Sequence, residues 1–410
     1  MRIVSFVLIA ILLVSCNSEK KKKDNSNIEV AKTIVQSFES PVQGNSSLPR
    51  LFASNNKLYL SWVEKKDTVS FQNYSIFEDG SWSDAQSVVS GSDWFVNWAD
   101  FPAIAESNGN ILTSYLQKSA TGTYTYDVKL NLFNASTNSW KKNFILHNDG
   151  TQSEHGFVSI RPYSGNSFLI VWLDGRDTVG KDHGGGQMTL RGAIVFEDGT
   201  IDYDTLLDDR VCDCCQTSVT IGPEDEIIVA YRDRSDDEIR DISVVRWEKE
   251  TGWSKPMTIG NDNWKIAGCP VNGPSIDSKD TNVGLAWFSA VNGEGKVQVA
   301  FSTDSGISFG KPIRIDAGSA TGRVDIQMIS KTEAAVLWME PKGDDELIQI
   351  VKVNVNGSKG KAITVSKTSA ERASGFPQLE LMGNDLYIAW TEIQAETSSV
   401  KTVLISDQNL

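Results

Sequence analysis

A pair of short strands recurs seven times along this chain of 410 residues. Each copy has a strand, a turn rich in Gly, Asn, Asp or Ser, and a second, more apolar strand with one aromatic residue, as in "RLFASNNKLYLSWVE" and "QLELMGNDLYIAWTE". The aromatic residues lie roughly 50 to 60 residues apart. They are Trp62, Tyr115, Trp172, Tyr231, Trp287, Trp338 and Trp390. This repeat constrains the whole fold, because every copy must form the same structural unit.

Two more strands follow the aromatic residue in each copy except the last. The third resembles "KVQVAFST" and the fourth resembles "KPIRID" or "KPMTIG". Four strands per repeat predict an all-β fold, a seven-bladed β-propeller of four-stranded blades. The seventh copy ends without a fourth strand, and residues 30–37 ("VAKTIVQS") match the missing one. We therefore predict that this N-terminal strand closes the ring and removes two exposed sheet edges; six blades with an accessory element are the alternative.

The N-terminus predicts export and anchoring. Residues 1–15 contain an apolar run that is too short to span a bilayer and is typical of a cleaved signal peptide. The residues Leu13-Val14-Ser15-Cys16 resemble the lipobox of bacterial lipoproteins, which implies lipidation of Cys16. An ordinary secretory signal with an incidental cysteine is the alternative. Residues 16–27 are polar and charged and predict a flexible tether, and residues 28–410 form the predicted propeller.

Charge and hydropathy restrict the partners. The chain has 39 basic and 53 acidic residues and a formal net charge of −14, which excludes nucleic acid as a favourable ligand. After the signal, the sequence has no long apolar run, so we expect membrane contact through the lipid anchor only. The predicted location is the bacterial cell envelope, on the periplasmic or surface side of the outer membrane, and we expect a monomer.

The segment "STDSGISF", residues 302–309, resembles the Asp box of sialidase-type propellers, S-x-D-x-G-x-T/S-W/F. Weaker versions are "EDGSWS", "STNSWKK" and "KETGWSK". The glycine permits a tight turn, the aspartate can bond backbone amides, and the aromatic residue packs between sheets. From about residue 45 to 405 the chain resembles sialidase-like propellers with BNR or Asp-box repeats. The resemblance implies that Asp boxes lie on one face and the ligand site on the other.

The opposite face carries two sets of loops in such propellers. One is the leading loop, which enters the innermost strand of each blade, and the other is the second–third loop, which joins the second and third strands. Two of the three histidines, the four cysteines after Cys16 and the densest Arg and Asp clusters fall in these loops, mainly in blades three to five. Arginines can bind carboxylate or phosphate, and aspartates can act as acid or base. The loops therefore predict a glycan or another anionic small ligand.

Candidate residues follow from this placement. A two-carboxylate glycosidase needs acids on opposite sides of the scissile bond, and the catalytic candidates are Asp174 with Asp233 or Asp241. The candidates for substrate binding are His155, Arg176, His183, Arg232, Arg240, Arg323, Arg372 and Trp98. Each has a plainer interpretation as a solvated loop residue or a packing residue. The sequence predicts a glycan-directed, exo-acting glycoside hydrolase or related enzyme; the alternative is a non-catalytic propeller that binds a glycan, an anion or a metal.

True sialidase activity is not expected. Sialidases of this family grip the substrate carboxylate with three arginines and use a Tyr activated by a Glu, with an Asp as acid/base. Their early Arg-Ile/Leu-Pro motif is absent here, and Arg50 in "LPRLF" only lies near its place. The leading loops of the last two blades contain no tyrosine; only Tyr124 and Tyr126 could reach the presumed site face.

The stretch "RVCDCC" places Cys212, Cys214 and Cys215 in the leading loop of blade four, and Cys269 lies in that of blade five. Exported proteins meet an oxidising environment, so structural disulfides are predicted, and three pairings are open. The alternative is a metal site in which thiolates, with or without His155 or His183, bind copper or zinc. The sequence requires no other cofactor.

Overall fold

The computed structural model describes residues 34–181 and 186–410. These residues form seven antiparallel sheets. The first strands of successive sheets contact one another around a central axis, and the first strand of the first sheet contacts that of the last. The predicted seven-bladed propeller is thus confirmed, and the six-bladed alternative is wrong.

The strands of each blade follow in order from the axis outward. Blades one and two contain Ser46–Ser54, Lys57–Lys66, Val69–Glu78, Ser81–Trp82 and Gln86–Gly91, then Ile104–Ser107, Asn110–Lys118, Tyr126–Asn134 and Ser139–Ile145. Blades three and four contain His155–Tyr163, Ser167–Asp174, Met188–Val195 and Ile201–Val211, then Ser218–Ile221, Ile227–Arg232, Ile242–Glu248, Gly252–Trp253 and Met257–Ile259. In blades one and four the outer strand is split into two pieces that both pair with the third strand.

Blades five and six contain Ser275–Lys279, Asn282–Ser289, Lys296–Ser302 and Ile313–Arg314, then Gly322–Met328, Glu333–Lys342, Asp345–Asn354 and Ile363–Ser369. Blade seven contains Gln378–Met382, Asp385–Gln394, Thr397–Ser406 and Gln36–Ser37. Single 3₁₀ turns cover Arg176–Thr178, Val291–Gly293, Arg372–Ser374 and Asp407–Asn409. None of the described residues forms a helix that is long and apolar enough to cross a membrane.

The N-terminal segment closes the ring. Gln36–Ser37 pairs with the third strand of blade seven opposite Leu404 and Val403, as the sequence predicts; the first part of the predicted strand lies outside the described residues. The next residue, Phe38, packs against Phe77 of blade one and Tyr387 of blade seven, with ring centroids 4.9 and 5.0 Å apart. This aromatic contact joins the first and last blades.

The repeated aromatic residues fill the space between the sheets. All seven are buried in the second strand of their blade. The indole N–H groups of Trp172, Trp338 and Trp390 each donate to a carboxylate two residues further on, at 2.9 to 3.1 Å. Residues i and i+2 of a strand lie on the same side, so each of these three tryptophans has an acceptor from its own strand. The repeat therefore encodes the apolar packing in every blade, and in three blades also the hydrogen bond of the buried indole.

The Asp-box turn lies at the end of blade five that the resemblance predicts. Asp304 accepts hydrogen bonds from the Ser308 backbone N–H at 2.9 Å and the Ser308 hydroxyl at 2.6 Å. Gly306 has a φ of +77°, which a glycine adopts without strain. Phe309 packs against the core between blades four and five. These residues stabilise the turn, and the opposite ends of the strands remain for the candidate site.

We expect Phe38→Ala to lower the free energy of unfolding by about 2 kcal/mol, because the substitution removes the aromatic contact between the first and last blades. Denaturant titration measures the change. The control is Ile307→Ala, since Ile307 is 60% exposed and its truncation removes little packing. Equal stability of the two variants would contradict the role of Phe38 in ring closure.

Candidate functional site

Three acidic groups, from two leading loops and from the start of the third strand of blade two, meet on the face opposite the Asp-box turn. The Tyr126 hydroxyl lies 2.7 Å from Glu154 Oε1 and 3.2 Å from Asp100 Oδ2. Asp100 also accepts the backbone N–H of Phe157 at 2.7 Å. Asp100 and Tyr126 are buried, whereas Glu154 is half-buried. We call Asp100, Tyr126 and Glu154 the acidic triad; its one phenolic proton cannot serve both carboxylates at once.

The triad retains protons at neutral pH. Burial raises the pKa of Glu154 to about 8, although the hydrogen bond from Tyr126 opposes the shift. Burial likewise raises the pKa of Asp100 to about 7, opposed by the Phe157 N–H and Tyr126. Burial and the two neighbouring carboxylates raise the pKa of Tyr126 well above its usual value. Because Glu154 is half-buried, its proton is the one closest to a ligand at this face.

A chain of ion pairs lies beside the triad. Arg234 bonds Asp213 at 3.1 Å and Glu238 at 2.7 Å, and Arg240 also bonds Glu238, at 2.8 Å. The Arg240 Nη1 lies 3.2 Å from Cys212 Sγ. The Asp213 side chain is 34% exposed, and its charge is among the causes of the raised pKa of Glu154. Glu154 and Asp213 are therefore two partly accessible carboxylates on neighbouring leading loops.

A buried histidine–aspartate cluster lies in blades two and three. The rings of His147 and His155 are stacked with centroids 3.5 Å apart. His155 Nε2 lies 3.0 Å from Asp149, and His147 Nδ1 lies 3.1 Å from the same oxygen. Burial and the neighbouring His155 lower the pKa of His147 to about 4. Arg176 bonds Asp149 as well, at 3.3 Å, so its guanidinium contacts the carboxylate that the two histidines share.

The three predicted catalytic aspartates each bond neighbouring protein groups. Asp174 is wholly buried and accepts two bonds of 2.7 Å from Arg176. Asp241 is buried and accepts the backbone N–H groups of Asn263 and Trp264. Asp233 is half-buried and accepts the Ser243 hydroxyl at 2.8 Å, and burial raises its pKa. Their catalytic role stays a prediction, and of the three only Asp233 is partly accessible.

Most predicted substrate-binding residues are held by the protein itself. Arg232 is 1% exposed, and its guanidinium donates to the carbonyls of Asn272, Arg240 and Phe288. Arg176, Arg240 and His155 form the ion pairs described above. Arg372 is exposed. His183 lies outside the described residues.

Trp98 and Arg323 meet over the axis. The Arg323 guanidinium lies 4.9 Å from the Trp98 ring centroid, and Trp98 stacks on Phe376 of blade seven at 5.9 Å. Burial lowers the pKa of Arg323 to about 10. Below them, Arg50 lines an axial cavity of about 50 Å³. Trp98 therefore packs on Arg323 and Phe376, and its role in substrate binding stays a prediction.

The structure corrects the disulfide prediction. All four described cysteines carry free thiols. The Cys212 and Cys215 sulfurs are 3.5 Å apart, which is a contact distance rather than a bond. His155 does not contribute to this group, because its ring is bonded to Asp149.

Sequence reasoning did not select the acidic triad or His147. Glu154 immediately precedes His155, which is a predicted substrate-binding residue. Asp100 lies two residues after Trp98, another predicted substrate-binding residue, in the same loop. A usable signal was "HNDGTQSEH", which places two histidines and two carboxylates in one leading loop. The sequence places Tyr126 near the site face, but its hydrogen-bond partners depend on how blades two and three contact each other.

A second cavity lies near the Asp-box face between blades three and four. This groove has a volume of about 550 Å³ and is lined by aromatic side chains. They are Tyr163, Phe196, Tyr203, Trp247 and Trp253. Tyr203 is 67% exposed. Aromatic rings of this kind can stack on the apolar faces of sugars.

No protein-family model and no curated protein matches the chain. Solved structures do: polysaccharide lyase Uly1 is 10% identical over 90% of this chain and 91% of its own, with a TM-score of 0.50. The phage phi92 endosialidase is 9% identical over 91% of this chain and 68% of its own, with a TM-score of 0.50. A variant of the NanB sialidase from Streptococcus pneumoniae is 14% identical over 92% and 70%, with a TM-score of 0.45. The fold is therefore the β-propeller fold that this lyase and this endosialidase also have.

Glu154→Gln should stabilise the protein at alkaline pH. The folded protein keeps the Glu154 proton up to a pKa of about 8, whereas the unfolded chain loses it near 4.5. The free energy of unfolding therefore falls as the pH rises from about 4.5 to 8. Glutamine does not titrate in this range, so the variant does not show this fall. We expect a gain of about 1 to 2 kcal/mol at pH 8.5 and little gain at pH 5.

Thermal or denaturant unfolding across this pH range measures the difference from wild type. Glu250→Gln is the control, because Glu250 is exposed in a turn. A Glu154→Gln variant that is equally destabilised at both pH values would show that the carboxylate is ionised and structural.

Proposed function

We propose that the protein is a glycan-directed glycoside hydrolase or related enzyme in which Glu154 donates a proton to the glycosidic oxygen. The observation that supports this role most is the acidic triad. It holds a half-buried, protonated carboxylic acid at the loop face and keeps Tyr126 2.7 Å from one of its oxygens. A fixed acid that is protonated at neutral pH is the group that general acid catalysis requires.

Tyr126 is a positioning residue in this proposal. It is fully buried, and the Phe95 ring stacks on it at 4.2 Å, so its oxygen cannot attack a sugar. Its hydroxyl can instead donate to Glu154 after the glutamate has lost its proton. Asp100 holds the other side of the hydroxyl, at 3.2 Å, and fixes its orientation. The triad therefore differs from the tyrosine nucleophile of true sialidases.

Asp213 is the proposed second carboxylate. A glycosidase of the common type needs a base or nucleophile opposite the acid. Asp213 lies on the next leading loop, is 34% exposed and is bonded by Arg234; burial raises the pKa of its carboxyl group, and the charge of Arg234 opposes this shift. The acid and its partner would then belong to blades three and four, on the face that the sequence predicts. Exo action stays a prediction from the family resemblance.

Location at the envelope also stays a proposal. It rests on the signal-like residues 1–15 and on Cys16, all outside the described residues. Labelling with a fatty acid that is lost in Cys16→Ser would test it.

The proposed function is tested with a panel of neutral and anionic polysaccharides. With a substrate found in this screen, we expect Glu154→Gln to lower kcat about 10²- to 10⁴-fold and to change KM little. Tyr126→Phe should lower kcat less and shift the alkaline limb of the pH profile, because Glu154 loses its hydrogen bond. Asp233→Asn is the matched comparison, since Asp233 is the accessible member of the carboxylates predicted from sequence.

Loss of turnover in Asp233→Asn but not in Glu154→Gln would contradict the role of Glu154. Binding without turnover that is lost on Trp253→Ala would instead indicate a non-catalytic glycan-binding propeller that uses the aromatic groove.

A further inference from the structure

The four cysteines bring their sulfur atoms together on the loop face. The Sγ atoms of Cys212, Cys214 and Cys215 all lie within 4.8 Å of one another. Cys269, from the leading loop of blade five, lies beside Cys214, but its Sγ is not one of the three within 4.8 Å. Cys212 and Cys215 are buried, whereas Cys269 is exposed. Three sulfurs of blade four thus form one group, and a fourth, from blade five and open to solvent, lies beside it.

We propose that this thiol cluster, Cys212, Cys214, Cys215 and Cys269, binds one thiophilic d¹⁰ cation, Cu(I) or Zn(II). Sulfurs bound to tetrahedral zinc at about 2.3 Å lie about 3.8 Å from one another. The Cys212–Cys215 separation of 3.5 Å is close to this value. These two cysteines are also separated by two residues, the C-x₂-C spacing by which one turn supplies two thiolates.

The surrounding protein fixes the two loops in place. The Cys212 backbone N–H donates to the Arg232 carbonyl at 3.0 Å. The Arg232 guanidinium donates to the Asn272 carbonyl at 2.9 Å, and the Asn272 N–H lies 3.4 Å from Cys215 Sγ. Arg232 therefore connects the leading loops of blades four and five. Such outer contacts hold ligands in position before a metal arrives.

The local charge favours thiolates. Arg240 Nη1 lies 3.2 Å from Cys212 Sγ. Thiolates rather than thiols are metal ligands, and the arginine offsets the negative charge that remains when several thiolates bind one cation.

The donor set selects soft metals. His155 is bonded to Asp149, and Asp213 is bonded to Arg234, so neither side chain is directed to the sulfurs. An all-sulfur set favours Cu(I) and Zn(II) over Mg²⁺, Ca²⁺ and Mn²⁺. Zinc needs the fourth sulfur, from Cys269, to complete a tetrahedron, whereas Cu(I) can be held by the three sulfurs of Cys212, Cys214 and Cys215.

The test uses the full chain with Cys16→Ser, so that the four clustered thiols are the only ones present. The protein is purified without oxygen and loaded separately with Zn(II) and with Cu(I) against a competing chelator. We expect one ion per chain by elemental analysis and only sulfur neighbours, at about 2.3 Å, by X-ray absorption. Cys214→Ser should weaken binding of both ions by about 100-fold or more.

Cys269→Ser distinguishes the two metals. It should weaken Zn(II) binding by about 100-fold and leave Cu(I) binding within about threefold if three sulfurs hold copper. Cys214 and Cys269 are chosen because they are less buried than the other two cysteines, and thermal unfolding verifies that both variants fold. Three outcomes would each overturn the proposal. The first is fewer than four titratable thiols together with no bound ion, and the second is nitrogen or oxygen neighbours around the bound ion. The third is unchanged metal binding in Cys214→Ser. None of these outcomes depends on glycan turnover.

Discussion

The stability of every blade depends on neighbouring blades that cover both faces of its sheet. The second strands are apolar on both sides, and residues such as Leu60, Ile170 and Leu337 are almost completely buried. A single four-stranded sheet would expose both of these faces, so it is stable only between two neighbours. Closure of the ring meets this condition for all seven blades at once. The short pairing of Gln36–Ser37 and the packing of Phe38 contribute to this closure, together with the contacts between the first strands of blades one and seven.

The closed ring also creates the chemistry of the loop face. Leading loops of neighbouring blades must converge near the axis, where there is little space and little water. This placement buries Asp100 and Tyr126, partly buries Glu154, and brings two cysteine loops together. Burial of carboxylates is unfavourable for folding, but it retains a proton that a solvated glutamate would lose. The proposed acid and the proposed metal site both result from the convergence of the leading loops near the axis.

Sequence periodicity predicted the blades because the aromatic residue marks the same strand in every repeat. It also predicted the loop face and the convergence of the cysteines. It did not predict which acids matter, because Asp174 and Glu154 look equally suitable in sequence and differ in what neighbouring strands place around them. Asp174 meets the guanidinium of Arg176, whereas Glu154 meets a buried phenol from blade two. The disulfide prediction was wrong because cysteine number and compartment do not report sulfur separation.

The proton on Glu154 is the central claim, and its carboxyl can be titrated directly. Infrared difference spectra between wild type and Glu154→Gln, recorded from pH 4 to 10, isolate the carboxylic acid band of this residue. The account predicts that the band persists at neutral pH and disappears with a pKa of about 8. A band that disappears near 4.5, the ordinary value for glutamate, would contradict the proposed general acid.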